Sequence, residues 1–142
     1  MPGNAANGAK VYARQSPGCI TCHVVNGQGT DFGPNLSEIG SKLGKDAILE
    51  AILDPSVGIS FGYEAFNVVL KNGDEAYGLI VSETADDISL KAVGGVVTRF
   101  KKSEIASRQP SKLSIMPAGL QQAMTTQEFV GLVEFLASLK KP

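Results

Sequence analysis

The stretch Cys19-Ile20-Thr21-Cys22-His23 contains both cysteines and the one histidine of this 142-residue chain. A structural disulfide is one interpretation, but cysteines this close together are rarely structural staples. A thioredoxin-like redox pair needs a βαβ context, whereas an amphipathic helix and a loop precede Cys19. A structural zinc site usually takes four Cys or His ligands, and this chain has only these three residues to offer.

The C-x-x-C-H spacing is the attachment signature of a c-type haem. Two thiols add across two vinyl groups on neighbouring edges of the porphyrin, so they need a short, turn-like separation. The residue that follows, His23, then places an imidazole under the iron. We therefore predict one covalently bound haem c, with Cys19 and Cys22 as its thioether donors and His23 as an iron ligand.

Length and composition limit the class of protein. A chain of 142 residues fits one domain, or a small domain that carries an insertion. It is 43% hydrophobic and 19% charged, which is typical of a soluble globule with a real core. The net charge of −1 gives no support for a nucleic-acid partner. No apolar run approaches membrane-spanning length.

The amino-terminal sequence bears on localisation. Met1-Pro2-Gly3-Asn4 has no basic segment followed by an apolar one, so no signal peptide is recognised. Covalent haem attachment normally takes place outside the cytoplasm. We therefore expect a periplasmic or otherwise extracytoplasmic protein whose natural chain carried an export signal. Met1 is then an added residue or a cut domain edge.

Helical periodicity marks the first half of the chain. Asn4 can cap a helix that runs to about Gln15, and Ser16-Pro17-Gly18 breaks that helix before Cys19. A second helix is predicted over Lys45 to Leu53, because Pro55 disfavours helix at the residue before it. This second helix carries Ile48, Leu49, Ile52 and Leu53 on one face, and a short apolar stripe of Leu36, Ile39 and Leu43 precedes it.

The last helix is predicted from about Thr126 to Lys140. Thr125 and Glu128 form a capping box at its start, and Met124 with Phe129 occupies the hydrophobic-staple positions. Its apolar stripe consists of Phe129, Leu132, Val133, Leu136 and Leu139, with Phe135 beside it.

A second motif follows the first. Gly33-Pro34-Asn35-Leu36 is by itself typical of a turn that opens a helix, but here Pro34 lies eleven residues after His23. Helix, CxxCH and GPNL in this order resemble class I c-type cytochromes. The resemblance implies that the Pro34 carbonyl accepts a hydrogen bond from the outer ring nitrogen of His23, which strengthens donation to the iron.

The same resemblance implies how the ends of the chain pack and what surrounds the haem. The terminal helices should cross, with Gly8 and Tyr12 meeting Leu132 and Phe135. Because the porphyrin is the largest apolar group inside such a protein, the residues of the apolar core also line the haem pocket. The predicted pocket or packing residues are Tyr12, Phe32, Leu36, Ile48, Ile52 and Ile115.

Between about residues 58 and 111, apolar residues recur at the two-residue spacing of strands. Phe66, Val68 and Leu70 alternate, and Asn72-Gly73 is a strong hairpin signal. Further strands are predicted at 75–84, 88–93 and 96–100, with turns at Asp86-Asp87 and Gly94-Gly95. Ile105 starts either a fifth strand or a short turn.

We therefore predict an α+β fold in a single cytochrome domain, 1–142. Its all-α class I core spans about 1–57 and 112–142, and the insertion is an antiparallel β meander or small barrel of four to five strands. The insertion either covers one haem edge or serves as a docking face for a redox partner.

A narrower resemblance covers about Gly8 to Leu139. Leu53-Asp54-Pro55-Ser56, the strand block with Asn72-Gly73, and the Met-Pro-Ala-Gly-Leu run at 116–120 resemble the haem-binding domain family of the Planctomycete and Verrucomicrobium type. In that family the domain often ends much larger proteins with dehydrogenase-like or repeat domains. The resemblance is compatible with an excised domain and equally with a free-standing small cytochrome.

The sixth iron ligand is predicted to be a methionine, since His23 is the only histidine. Met116 is the favoured candidate, because Met-Pro in a loop before the last helix matches the ligand segment of class I cytochromes. Met1 is terminal, and Met124 is explained by the staple.

The predicted function is a monohaem electron carrier with histidine–methionine ligation, which is not itself an enzyme. Its partners would be electron-donor and electron-acceptor proteins. The alternatives are a haem-based sensor or peroxidase-like module with a labile sixth ligand, the redox domain of a larger dehydrogenase, and a purely structural haem module. A peroxidase would also need a distal acid–base group, and no second histidine is available for that role.

Overall fold

The computed structural model describes residues 3–59 and 62–141, which belong to two compact units. The first unit comprises Met1–Gly58 and Met116–Pro142 and is mainly helical. The second comprises Ile59–Ile115 and is built from strands. The predicted mixture of helices with antiparallel strands is confirmed. Ile115, one of the predicted pocket residues, belongs to the second unit.

The first unit contains the three predicted helices, and its described part also has two one-turn α-helices and a small hairpin after the haem motif, none of which was predicted. Its elements are α1 (Ala5–Ala13), α2 (Cys19–Cys22), β1 (Val24–Val25), β2 (Gln28–Gly29), α3 (Ile39–Lys42), α4 (Lys45–Leu53), a 3-10 turn (Leu120–Ala123) and α5 (Thr126–Ala137). β1 and β2 pair antiparallel. The bounds of α4 are those predicted.

Two helices are shorter than predicted. The Asn4 side chain caps α1 by accepting from the N–H of Asn7, but α1 ends at Ala13 because Arg14 is already extended, with ψ 158°. α5 ends at Ala137 rather than Lys140. Ser138 closes it, since its hydroxyl donates to the Phe135 carbonyl over 2.5 Å.

The terminal helices cross through two glycines. A Cβ on Gly8 would overlap the carbonyl group of Gly131, and a Cβ on Gly131 would lie 3.0 Å from the Asn4 carbonyl oxygen. The Cβ on Gly8 would also lie 2.9 Å from the Leu132 backbone nitrogen, so Gly8 meets Leu132 as expected, and it meets the backbone of Gly131 as well, which was not predicted. The expected aromatic contact is present, with the rings of Tyr12 and Phe135 centred 5.8 Å apart.

The core of the first unit is one apolar cluster. Its buried members are Val11, Tyr12, Val25, Ile48, Ile52, Leu132, Val133, Leu136 and Leu139. The predicted apolar face of α4 is narrower than expected, because Ile48 and Ile52 are buried while Leu49 and Leu53 remain 40% and 39% exposed.

The second unit is a five-stranded antiparallel sheet. Its strands are β3 (Ala65–Leu70), β4 (Glu75–Glu83), β5 (Asp87–Lys91), β6 (Val97–Lys101) and β7 (Ile105–Pro110), in the spatial order β6-β5-β4-β3-β7. Ile105 therefore starts a fifth strand, and Asp87 lies in a strand rather than in the turn. Among the strands that the structure describes, β6 and β7 are the edges, so the sheet is open and not the closed barrel that the pattern also allowed.

The last strand of this unit returns beside the first. β7 pairs with β3, and the N–H of Ser111 donates to the Ala65 carbonyl over 2.8 Å. The chain thus leaves the sheet next to the point at which it arrived. The sheet buries Val68, Ile88 and Leu90 in a core of its own.

In the described part of the chain, no helix has the length and apolar character needed to cross a membrane.

Candidate functional site

The CITCH stretch forms a single helical turn, α2. Gly18 starts it in the left-handed conformation at φ 89°, and the N–H of His23 donates to the Cys19 carbonyl over 3.0 Å. Residues three apart on a helix lie on the same side, so Cys19 and Cys22 point in similar directions. Both thiols are free and half-buried. The turn therefore presents two sulfurs with an imidazole directly after them.

Backbone hydrogen bonds from the loop that follows, residues 30–33, hold this turn in place. The N–H of Thr30 donates to the Ile20 carbonyl over 3.1 Å, and the N–H groups of Phe32 and Gly33 donate to the Cys22 carbonyl over 3.2 and 2.5 Å. These bonds satisfy carbonyls that a one-turn helix leaves without partners.

The His23 ring is held by one backbone carbonyl. Its Nδ1 lies 2.6 Å from the Pro34 carbonyl oxygen. Because a carbonyl only accepts, Nδ1 carries the proton and Nε2 keeps a free lone pair. Burial lowers the pKa of His23, against a smaller opposing effect of the Pro34 bond. The neutral ring, with Nε2 free, is the form that binds a metal.

Gly33 is what allows Pro34 to approach so closely. A Cβ on Gly33 would lie 2.8 Å from Cε1 and 3.1 Å from Nδ1 of His23. The GPNL motif drew attention to Pro34, but this glycine contact was missed. A glycine directly before the accepting residue was the available signal, since glycine often marks a close approach of backbone to another group.

The thiol environment argues against two of the alternative interpretations. Burial raises the pKa of both Cys19 and Cys22, whereas reactive redox thiols have lowered pKa values. Within residues 3–59 and 62–141, no group of three or more His, Cys, Asp or Glu side chains could hold a metal ion. A thioredoxin-like pair and a structural zinc site are therefore both disfavoured.

The predicted pocket residues fall into three groups. Tyr12, Ile48 and Ile52 belong to the buried cluster of the first unit, and Leu36 packs against it. Phe32 is buried as well. Ile115 lies in the other unit.

Two methionines pack against the same cluster. Met116 and Met124 are both partly buried there, and Met1 lies outside the described residues. Met124 directly precedes the capping box, which is formed: the N–H of Thr125 donates to Glu128 Oε1, and the N–H of Glu128 donates to Thr125 Oγ1. The position of Met124 directly before this cap gives its packing a structural explanation.

These residues fit a covalently attached haem. Cys19, Leu36 and Met116 are apolar side chains that the protein covers only in part, and no charged side chain is buried among the described residues. Two buried polar atoms, Tyr12 Oη and Gln121 Oε1, have no hydrogen-bond partner within the described protein. Burial also raises the pKa of Tyr12 to about 12, so its phenol stays protonated. Polar substituents of a cofactor could meet both atoms.

Comparison with known proteins agrees with this chemistry. The family model described as Cytochrome c matches residues 5–76, slightly more than half of the chain. The match includes Cys19, Cys22, His23 and Pro34 and ends before Met116. A search of curated proteins found no match.

Proposed function

Since the chain belongs to the cytochrome c family, and so is a haem-binding electron-transfer protein, we propose that it is a monohaem one-electron carrier in which His23 and Met116 ligate the iron. The observation that carries this proposal is the bond between His23 Nδ1 and the Pro34 carbonyl. It fixes the proton on the outer nitrogen and leaves Nε2 for the metal. A carbonyl acceptor also makes the imidazole a stronger donor.

Each residue of the site has a defined task in this proposal. A bound haem would supply the iron that exchanges electrons. Cys19 and Cys22 would hold its macrocycle through thioethers, and His23 would hold the iron through a ring nitrogen. Met116 would provide a thioether sulfur, a ligand that raises the reduction potential. Pro117 stiffens the backbone behind it, because its ring fixes φ.

Further parts of the proposal concern the setting of this site. We propose a class I cytochrome core, the second unit being an insertion of the kind found in the Planctomycete and Verrucomicrobium type of domain. The protein acts outside the cytoplasm, exchanges electrons with partner proteins and is not itself an enzyme. The sheet of the second unit either covers one haem edge or is a docking face for a redox partner.

The first prediction tests the sixth ligand. We expect the oxidised protein to show the near-infrared band of an iron–sulfur bond and the reduced protein to refuse carbon monoxide. Met116→Ala should lose the band and bind carbon monoxide readily. Met124→Ala is the matched control, since it packs against the same cluster and should keep the band.

Two other results would point elsewhere. Loss of the band in Met124→Ala but not in Met116→Ala would transfer the ligand role to Met124. Rapid carbon monoxide binding by the unaltered reduced protein would favour the sensor or peroxidase-like alternative, because both need an open or labile sixth position.

A further inference from the structure

Arg14 connects three separate parts of the first unit. It directly follows α1, and its side chain extends towards the start of α5. Nε donates to the Ser16 carbonyl over 2.9 Å, one terminal nitrogen donates to Glu128 Oε2 over 2.6 Å, and the other donates to the Ala123 carbonyl over 3.3 Å. A planar guanidinium makes these bonds from three different nitrogens in fixed directions. A lysine ammonium also has three donors, but they share one nitrogen and cannot span the same three acceptors.

The groups that Arg14 connects flank the two proposed iron ligands. Ser16 lies three residues before Cys19, on the segment that leads into the haem-attachment turn. Ala123 ends the 3-10 turn that follows Met116, and Glu128 lies in the first turn of α5. One side chain thus joins the segment before His23 to the segment after Met116.

The acceptor on α5 is itself fixed. Glu128 uses Oε1 to accept from the N–H of Thr125 and Oε2 to accept from Arg14. The side chains of Arg14 and Glu128 are only 36% and 27% exposed. A partly covered, charge-assisted bond between such groups is stronger and better defined than a pair free in water.

We propose that Arg14 is a positioning residue for the sixth ligand. It keeps the methionine loop, residues 116–123, at a fixed distance from the haem-attachment turn α2. The inference rests on the proposed His23 and Met116 ligation. When Arg14 is in place, the end of the methionine loop cannot move away from the segment that carries the haem. Without it, the loop remains folded through its turn and through Met124, but the methionine leaves the iron more often.

The test measures ligand release separately from unfolding. Arg14→Gln removes both the charge and the planar guanidinium fork that makes the three bonds, whereas Arg14→Lys keeps the charge alone. Lys10→Gln is the control for loss of one positive charge from the same segment. Each holoprotein is titrated with denaturant while the iron–sulfur band and the helical circular dichroism are followed together. The rate of carbon monoxide binding to the reduced form is a second readout.

We expect the iron–sulfur band of Arg14→Gln to disappear at a lower denaturant concentration than its helical circular dichroism. The gap between these two midpoints should be wider than in the unaltered protein. Its carbon monoxide binding should be about tenfold faster, the factor that corresponds to about 1.4 kcal/mol. Arg14→Lys should resemble Arg14→Gln, and Lys10→Gln should resemble the unaltered protein.

Three results would overturn the inference. In one, band and helix signal shift together in Arg14→Gln, which would make Arg14 a general stabiliser. In another, Arg14→Lys behaves as the unaltered protein, which would leave no role for the fork. In the third, the carbon monoxide rate is unchanged. Absence of the band from the unaltered protein would instead refute the ligation on which the inference rests, so the two failures are distinguishable.

Discussion

At His23, a single residue shows how burial and one hydrogen bond together define a ligand. Burial lowers the pKa of the His23 ring, which favours its neutral form. The Pro34 carbonyl then selects the tautomer that keeps Nε2 unprotonated. Neither factor alone would be sufficient, because a neutral ring without a fixed tautomer presents the correct nitrogen only part of the time.

Gly33→Ala tests this arrangement. The added methyl would press against Cε1 and Nδ1 of His23, so the Pro34 carbonyl must move away. A weaker bond to Nδ1 makes the imidazole a poorer donor, which destabilises ferric iron more than ferrous iron. We expect the reduction potential to rise by roughly 40 mV, the one-electron equivalent of about 1 kcal/mol.

Gly58→Ala is the matched control, since a Cβ there meets nothing within 4 Å. Redox titration of both holoproteins gives the comparison. A folded Gly33→Ala protein with an unchanged potential would contradict the assigned role of the Pro34 bond.

The haem-binding residues could be predicted from sequence because their relation is local. Cys19, Cys22, His23 and Pro34 lie within 16 consecutive positions, where spacing alone restricts geometry. Arg14 and Glu128 could not be paired in this way, because their contact joins positions 114 apart. Nothing in a basic residue after a helix indicates which distant carboxylate it will meet.

At the scale of elements, the crossing of α1 and α5 depends on two residues that weaken helices. Glycine within a helix costs about 1 kcal/mol relative to alanine. Gly8 and Gly131 nevertheless occupy helical positions, because the backbones approach too closely for a side chain. A glycine in the middle of a strongly apolar helix was the signal that could have identified Gly131 as the partner of Gly8.

Gly8→Ala is expected to destabilise the protein despite its better helix propensity. The gain of about 1 kcal/mol is smaller than the cost of forcing two backbones apart, because a carbonyl in a packed helix cannot rotate away. We expect a net loss of about 1–3 kcal/mol in the free energy of unfolding. Denaturant titration measures it, with Gly58→Ala as the control. Equal or greater stability would show that the crossing is loose.

In the second unit, one carboxylate joins β4 to β7. Glu83 lies 2.9 Å from Lys102 and 3.0 Å from Arg108. Arg108 lies on β7, which β3 separates from β4, so this ion pair joins two strands that make no backbone hydrogen bonds with each other. Alternation predicted most of the strands, but the pairing of β3 with β7 is non-local and leaves no mark in the residue pattern.

The Glu83 cluster should make the sheet sensitive to acid. Its bonds to Arg108 and Lys102 lower the pKa of Glu83 from 4.5 to about 2. A carboxyl with a lowered pKa in the folded state stabilises the fold above its unfolded value, and the effect is lost as the pH falls towards the folded value. We expect Glu83→Gln to increase amide exchange in β4 and β7 at pH 7, and to have little effect near pH 2.

Glu75→Gln, on the same strand, is the control for the loss of one charge. Protection of β4 and β7 that is identical in Glu83→Gln and the unaltered protein at pH 7 would show that the ion pairs contribute nothing.

The whole molecule is organised as a helical unit interrupted by a β unit. His23, Pro34, Met116 and both terminal helices belong to the first unit, and each unit has its own apolar core. The sheet therefore contributes none of the residues proposed to ligate iron, even though it lies between them in sequence.

Replacement of residues 59–115 by a flexible Gly/Ser linker tests this arrangement and the docking alternative together. We expect the shortened protein to attach haem and to keep its iron–sulfur band. Electron exchange with the physiological partner, followed by stopped-flow absorbance, should become slower. If a folded, haem-loaded variant exchanged electrons at the original rate, the sheet would be no docking face.

The adjacency of Ala65 and Ser111 has a consequence for chain folding. Bringing Gly8 to Gly131 closes a loop that includes the entire β unit. Closure entropy grows only with the logarithm of loop length, about 0.6 kcal/mol for each doubling. The strands lengthen this loop by less than one doubling, and a sheet that has already formed shortens it again, because the hydrogen bond between Ser111 and Ala65 joins its ends. The β unit between the two proposed ligands therefore adds little to the entropic cost of closing this loop. A chain can acquire such an insert and still form the contact between α1 and α5.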